Sequence, residues 1–198
     1  MPQIQFNKDR TFDDAEIYFW HIAESCNELS ELIADNGALL AEAQKRFKSV
    51  TRQCEWLAVR ALLLQTPYKE KEILYHSNGQ PYLDGKFISI SHTNEHAAIA
   101  ISDNPIGIDI EAVGRDAQSV IKAILHPTDS APSTPDEALH MWVAKEAAFK
   151  LAPEKATVLK EISITKNNYS YTVAYPDGTT AECTIHILGK IILAYCTI

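Results

Sequence analysis

Apolar and polar positions alternate along the chain in a pattern that predicts both strands and helices. Period-two alternation and short β-branched or aromatic runs predict strands over residues 15–22, 82–83, 87–91, 97–102, 106–111, 162–165, 170–175, 180–188 and 191–198. Strong helix formers with apolar positions three and four apart predict helices over residues 27–35, 38–48, 49–65, 118–125 and a segment ending near Lys150. The order is strand, helices, strands, followed by strand, helix, strands. We therefore predict an α+β fold in two parts, residues 1–103 and 104–198.

Composition and charge narrow the class of protein. The chain has 198 residues, of which 46% are hydrophobic and 22% charged, as expected for one or two compact domains. Its net charge of -8 argues against general nucleic-acid binding, which needs a basic surface. The first ten residues contain no apolar signal-peptide core, and no later apolar run approaches the length of a membrane span. We expect a cytoplasmic protein that binds neither nucleic acid nor membrane.

The four cysteines show no metal-binding or redox spacing. Cys26, Cys54, Cys183 and Cys196 contain no C-x-x-C pair, so we interpret them as small buried residues. A two-residue turn at residues 189–190 would place Cys183 opposite Cys196 in a hairpin. In a reducing cytosol we expect all four to remain thiols.

One predicted strand carries two acidic residues on the same face. Ile106, Ile108 and Ile110 form its apolar face, so Asp109 and Glu111 lie together on the opposite face. Carboxylate oxygens at this spacing suit Mg²⁺, which binds through one or two carboxylates plus waters and substrate phosphates. The alternative is an edge strand whose polar face is simply solvated.

The helix that ends near Lys150 carries a third carboxylate between two cations. Within residues 141–150, Lys145, Glu146 and Lys150 fall on neighbouring turns of one side, together with Trp142 and Phe149. The alternative is an ordinary i,i+4 pair between Glu146 and Lys150 on a solvated face, with the aromatic residues in the core.

Together, the two motifs resemble the signature of the 4'-phosphopantetheinyl transferase superfamily. The matching segments are Gly107-Ile108-Asp109-Ile110-Glu111 and Trp142-x-x-Lys145-Glu146-Ala147-x-x-Lys150, and residues 87–93 resemble the Ser-His segment that precedes the acidic strand in this family. The chain length suits the larger, monomeric type. The resemblance implies two similar α+β halves related by a pseudo-twofold axis, with the active site between them.

The resemblance further implies an enzyme that transfers the 4'-phosphopantetheine arm of coenzyme A to a serine of an acyl or peptidyl carrier protein, as in fatty-acid, polyketide or peptide biosynthesis. Mg²⁺, with Mn²⁺ as an alternative, would bind Asp109, Glu111 and Glu146. Catalysis would depend on Glu146, as ligand or general base, on Lys150 and on Asp109. Arginine forks and strand-end donors supply the candidate coenzyme A contacts, which are Arg46, Arg52, Arg60, Ser91, His92, Lys145 and Lys150.

Two departures from the family pattern favour a second hypothesis, a non-catalytic module that binds coenzyme A or a carrier protein. Gln80 stands where the family usually has a lysine near the nucleotide, and residues 151–159 contain no glycine. A third hypothesis is Mg²⁺-dependent hydrolysis of a pyrophosphate, in which the same residues would act and water would replace the serine.

Overall fold

The computed structural model describes residues 15–68, 73–93, 95–168 and 170–198, which form two antiparallel sheets of five strands each. The first sheet has the order β1-β5-β4-β3-β2. Its strands are β1 (Glu16–His21), β2 (Leu74–Tyr75), β3 (Pro81–Leu83), β4 (Lys86–Thr93) and β5 (His96–Ser102). The second has the order β6-β10-β9-β8-β7. Its strands are β6 (Ile106–Ala112), β7 (Ser163–Asn167), β8 (Ser170–Ala174), β9 (Thr180–Leu188) and β10 (Ile191–Thr197).

Helices follow the first strand of each half. The first half contains α1 (Cys26–Ile33), α2 (Ala38–Arg46) and α3 (Val50–Leu64). The second half contains α4 (Gln118–Ile124), α5 (Pro135–Leu151) and a short 3-10 helix (Leu159–Glu161). In both sheets the first strand lies at one edge beside the last strand. The two halves thus share one topology, which confirms the prediction of an α+β fold with two similar halves.

Period-two alternation sorts the side chains into three cores. On β1, Tyr18 and Trp20 face the helices of the first half, whereas Ile17 and Phe19 face the second sheet. On β10, the same alternation sends Ala194 toward α5 and Leu193 toward the first sheet. The two halves are therefore joined by an apolar layer between their sheets.

Strand β6 lies at the junction of the halves. Ile106, Ile108 and Ile110 are buried in the layer between the sheets, as their alternation predicted. Across the free edge of β6, the Ser89 and Ser91 side chains on β4 accept hydrogen bonds from its backbone, at 2.9 Å from the Ile108 nitrogen and 3.1 Å from the Ile110 nitrogen. Strand β6 is thus covered by protein on both sides, and the alternative of a solvated edge strand is wrong.

Gly107 allows α5 to approach β6. A Cβ atom at this position would lie 2.0 Å from the Ala147 carbonyl oxygen and 2.6 Å from the Leu151 nitrogen. Both are backbone atoms, so a side chain cannot be accommodated by a rotamer change. The glycine fixes the distance between the acidic strand and the helix that carries Glu146.

We expect Gly107→Ala to destabilise the fold, because the helix would have to move away from the strand. Overpacking of this kind typically costs about 1–3 kcal/mol, and contact with backbone places this site at the upper end. Urea unfolding of the two proteins measures the difference. Equal midpoints and slopes would show that α5 does not pack this closely.

The structure links the cysteines as two disulfides, Cys26 to Cys54 and Cys183 to Cys196. Cys183 and Cys196 are register partners in the β9–β10 hairpin, as predicted. The expectation that all four remain thiols is wrong here, because α1 and α3 bring Cys26 to Cys54 and the hairpin register aligns the other pair. In the described residues, no helix has both the length and the apolar character needed to cross a membrane.

The remaining differences concern short elements and helix ends. Strand β2 contains two residues, too few for alternation to reveal, and was not predicted. Helix α5 is capped by Thr134, whose hydroxyl accepts a hydrogen bond from the Glu137 backbone at 3.1 Å.

Candidate active site

The acidic pair on β6 faces α5 and is buried. Asp109 and Glu111 are each 7% exposed. Asp109 Oδ1 accepts hydrogen bonds from Ser91 Oγ at 2.7 Å and from Lys150 Nζ at 2.6 Å. One guanidinium nitrogen of Arg115 contacts both carboxylate oxygens of Glu111, at 2.6 and 2.5 Å.

The third carboxylate, Glu146, lies close enough to Asp109 for their charges to interact. Burial, followed by the charge of Asp109, raises the pKa of Glu146, and Lys150 opposes this shift. Burial also raises the pKa of Glu111, against the lowering effect of Arg115 and with a further increase from Asp109. Three carboxylates thus share this region with two cations, and their mutual repulsion favours binding of a further cation.

The carboxylate oxygens of Asp109, Glu111 and Glu146 are the type of ligand that Mg²⁺ prefers. Within the ranges that the structure describes, no three acidic, histidine or cysteine side chains are already grouped as a metal site. The hydrogen bonds of Asp109 to described side chains use Oδ1, which leaves Oδ2 for another ligand. The residues therefore fit a divalent cation after adjustment of the ion pairs.

A cavity of about 450 Å³ lies beside the acidic residues, with walls from both halves. Its cationic and imidazole side chains are Arg52, Arg60, His92 and Lys150. Gln80 also lines it, together with apolar residues such as Trp56 and Phe149. A second, more polar cavity of about 980 Å³ shares Arg52 and His92 with the first and contains Glu111 and Arg115. The two cavities adjoin at Arg52 and His92.

Arg60 is a buried guanidinium on the wall of the first cavity. It is 6% exposed, lies 3.2 Å from the Trp56 ring centroid and donates to the Trp56 carbonyl oxygen at 3.0 Å. Among the described residues, no carboxylate lies within ion-pair distance of it. Arg46 lies nearby, 5.7 Å from the Trp56 ring centroid, but it is exposed and paired with Glu42. The structure thus brings both arginines to Trp56, and Arg60 lines the cavity.

Arg52, Glu55 and His92 form a polar cluster where the two cavities adjoin. Arg52 NH1 lies 3.2 Å from both ring nitrogens of His92 and 3.3 Å from Glu55 Oε2. Burial, the Arg52 charge and the Lys150 charge lower the pKa of His92 to about 4. The imidazole is therefore neutral near pH 7, so its 3.2 Å contact with Glu55 is not an ion pair.

The low pKa of His92 predicts that the fold loses stability over a defined range of acidic pH. Between the folded pKa of about 4 and the ordinary value of 6.5, the unfolded histidine takes up a proton that the folded one does not. Its contribution to stability is complete above the ordinary value and is lost as the pH falls toward 4. We expect His92→Gln to lose less stability than the wild type when urea unfolding is repeated from about pH 7 to about pH 4. His76→Gln, on an exposed turn, is the control, and equal losses in the wild type and His92→Gln would contradict the prediction.

Two predicted coenzyme A contacts have other partners in the structure. Lys145 is fully buried, where its ammonium lies 2.7 Å from Asp129 and also donates to the Ile162 carbonyl oxygen. Because it lines neither cavity, we correct its predicted phosphate contact to a structural ion pair. Ser91 is also buried, and it positions Asp109 through a hydrogen bond instead of presenting its hydroxyl to the cavity.

Three residues of this region are not among the predicted site residues. Arg115 follows the acidic strand after a turn, Glu55 lies between two candidate arginines, and Trp56 lies on the same predicted helix. An i,i+4 relation between Glu111 and Arg115 was the available signal, but that spacing is informative only within a helix.

Comparison with known proteins places the site within a family. Residues 105–196 match the family model described as the 4'-phosphopantetheinyl transferase superfamily. The matched part contains both motifs, so the comparison confirms the resemblance to that superfamily predicted from them. Among individual proteins, the chain is similar to the 4'-phosphopantetheinyl transferase gsp of Aneurinibacillus migulanus, with 25% identity over 141 residues. The match covers 66% of this chain and 60% of the length of that relative.

Proposed function

We propose that this protein transfers the 4'-phosphopantetheine arm of coenzyme A to a serine of an acyl or peptidyl carrier protein in an Mg²⁺-dependent reaction, releasing adenosine 3',5'-bisphosphate. One observation carries the proposal. Asp109 and Glu111 are buried opposite Glu146 and Lys150, within the part of the chain that matches the superfamily and beside a cavity with cationic walls. Because one chain contains both halves, we propose that it acts as a monomer.

The cavity chemistry supports binding of an anionic nucleotide. Arg60 presents a buried positive charge without a described carboxylate partner, and burial lowers its pKa, so an anion is favoured beside it. Arg52 and neutral His92 supply further donors toward the second cavity. Trp56, with Arg60 stacked on its ring, provides an apolar wall. Arg46 would contribute from the rim.

The carboxylates would hold the metal. Asp109 and Glu111, with Glu146 as a third ligand or through a water, would bind Mg²⁺. When bound, the ion would neutralise charge on the non-bridging oxygens of the pyrophosphate. Lys150 lies 2.6 Å from Asp109 and also lines the first cavity, so its ammonium can turn from the carboxylate to a phosphate oxygen.

The transfer itself is a phosphoryl substitution. The serine oxygen of the carrier protein attacks the phosphorus attached to pantetheine, and the bond from that phosphorus to the bridging oxygen breaks. The adenosine bisphosphate leaves with the electron pair. Glu146, whose pKa is raised by burial, is our candidate to accept the serine proton, directly or through a water.

Intact-mass spectrometry of an apo carrier protein tests this function. We expect a gain of one phosphopantetheine arm when the carrier is incubated with this protein, coenzyme A and Mg²⁺, and no gain in a parallel sample with EDTA. Arm transfer in both samples would contradict the metal requirement. Release of adenosine bisphosphate without any carrier would instead indicate pyrophosphate hydrolysis.

Two observations favour the binding module as a second candidate. Lys150 and Arg115 hold Asp109 and Glu111 in ion pairs, and Gln80 lines the cavity in place of a cation. Tight coenzyme A binding without transfer to several unrelated carriers would support this candidate.

A further inference from the structure

Arg115 connects the acidic strand to the helix that faces it. Its NH1 atom lies 2.6 Å from Oε1 and 2.5 Å from Oε2 of Glu111. The same guanidinium lies 4.5 Å from the ring centroid of Trp142, whose indole nitrogen is 3.5 Å from Glu146 Oε1. Arg115 therefore bridges Glu111 on β6 and a residue that contacts Glu146 on α5.

The turn after β6 directs Arg115 back over the strand. The Arg115 nitrogen donates to the Ala112 carbonyl oxygen at 3.2 Å, and Gly114 has a φ of 79°, which favours glycine. The Val113 nitrogen donates to the Lys190 carbonyl oxygen at 2.9 Å, which ties the turn to the β9–β10 hairpin. The position of Arg115 is thus set by the backbone of two adjacent turns.

Arg115 and Glu111 differ in how far their side chains are buried. The Arg115 side chain is 50% exposed and lines the second cavity, whereas the Glu111 side chain is 9% exposed. The Glu111 carboxylate is enclosed by protein, whereas half of the Arg115 side chain faces the open space of the cavity. The guanidinium therefore has more room to move than the carboxylate.

We propose that Arg115 is a built-in counter-cation that competes with a divalent cation for Glu111. NH1 contacts both Glu111 oxygens, so its positive charge lies where a metal ion would approach this carboxylate, and binding of the ion is opposed until Arg115 moves away. The Trp142 ring then keeps the displaced guanidinium beside the site through a cation–π contact. Arg115 is a positioning residue that sets metal affinity and stabilises the three carboxylates in the metal-free protein. This inference rests on the proposed function in one respect, that Glu111 is a metal ligand.

Binding of Mn²⁺ to the protein without substrate tests the proposal, measured by the electron paramagnetic resonance signal of the free ion. The variants are Arg115→Ala, Arg115→Lys and the control Lys166→Ala. Lys166 is matched to Arg115 because its side chain is also 50% exposed and also forms an ion pair, with Glu137 on a different surface. An exposed ion pair contributes up to about 1 kcal/mol, so we expect Arg115→Ala to bind Mn²⁺ about fivefold more tightly. Arg115→Lys should lie between that variant and the wild type, and the control should match the wild type.

Thermal unfolding supplies a second readout. Without metal, Arg115→Ala should unfold at a lower temperature than the wild type, because Glu111 loses its counter-charge. Mn²⁺ should then raise the unfolding temperature of this variant more than that of the wild type. If Arg115→Ala does not fold, Arg115→Lys must still bind Mn²⁺ more tightly than the wild type.

The outcomes separate this inference from the proposed function. Unchanged or weaker Mn²⁺ binding by both variants overturns it, even if the wild type transfers the phosphopantetheine arm. Tighter binding by Arg115→Ala supports it, even if the wild type shows no transfer. An equal gain in Lys166→Ala overturns it, since the effect would then be general electrostatics. Absence of Mn²⁺ binding in every variant overturns it together with the metal requirement.

Discussion

Replacing Lys145 with methionine is expected to lower the free energy of unfolding by about 3–5 kcal/mol. The substitution keeps the length of the side chain and removes the ammonium, leaving a carboxylate in the interior without its cation. Lys145 and Asp129 have no exposed side-chain surface, and their atoms lie 2.7 Å apart. Asp129 also accepts from the His126 nitrogen at 2.9 Å and the Ile164 nitrogen at 2.8 Å. The pair therefore joins α5, the loop before it and β7.

Guanidinium chloride unfolding of the wild type and three variants would measure this effect. Lys166→Met is the control, since its exposed ion pair should contribute less than about 1 kcal/mol. In the double variant Lys145→Met/Asp129→Leu, removal of both charges should recover part of the lost stability, because the interior no longer contains an unpaired carboxylate. A loss below about 1 kcal/mol in Lys145→Met would show that water or another cation reaches Asp129.

The partner of Lys145 could not be predicted from helical spacing alone. Helical spacing predicted Lys145, Glu146 and Lys150 on one side of the helix, which is wrong for Lys145, and it did not identify which neighbour each side chain meets. Lys145 points to Asp129, a residue in a loop without periodicity, and Lys150 points to Asp109 on β6. Residue spacing determines the angle at which a side chain leaves the helix axis. The residue that it contacts depends on how the helix packs against the other elements of the same half of the protein.

The alternation of residues along strands predicted side-chain positions more reliably, because successive side chains of a strand point to opposite faces of the sheet. The isoleucines of β6 and the acidic pair lie on opposite faces as expected, and the β9–β10 register follows from the turn at residues 189–190. The sequence did not reveal that β4 and β6 meet through serine hydroxyls, since such a contact joins two halves far apart in the chain. For the same reason, Ser91 was interpreted as a phosphate donor instead of a partner of Asp109.

The second large effect concerns activity. Asp109→Asn is expected to reduce arm transfer by at least about 100-fold, the usual cost of losing a group that stabilises transition-state charge. The substitution removes the negative charge that pairs with Lys150 and would bind the metal, while the amide oxygen can still accept from Ser91. Intact-mass measurement of the carrier protein over time gives the rate. Asp103→Asn is the matched control, since Asp103 is exposed and its ion pair with Lys86 lies away from both cavities.

Folding of Asp109→Asn should be preserved, which separates this prediction from a structural effect. Burial is the main cause of the raised pKa values of Glu111 and Glu146, and the charge of Asp109 raises both further, so its removal relieves repulsion between carboxylates and offsets the lost bond to Lys150. We therefore expect an unfolding temperature within a few degrees of the wild type. Full activity in Asp109→Asn would show that transfer does not need the negative charge of Asp109, which would contradict the prediction. A low unfolding temperature together with low activity would instead assign Asp109 to the junction between the halves, as the acceptor that holds Ser91 and Lys150 in place.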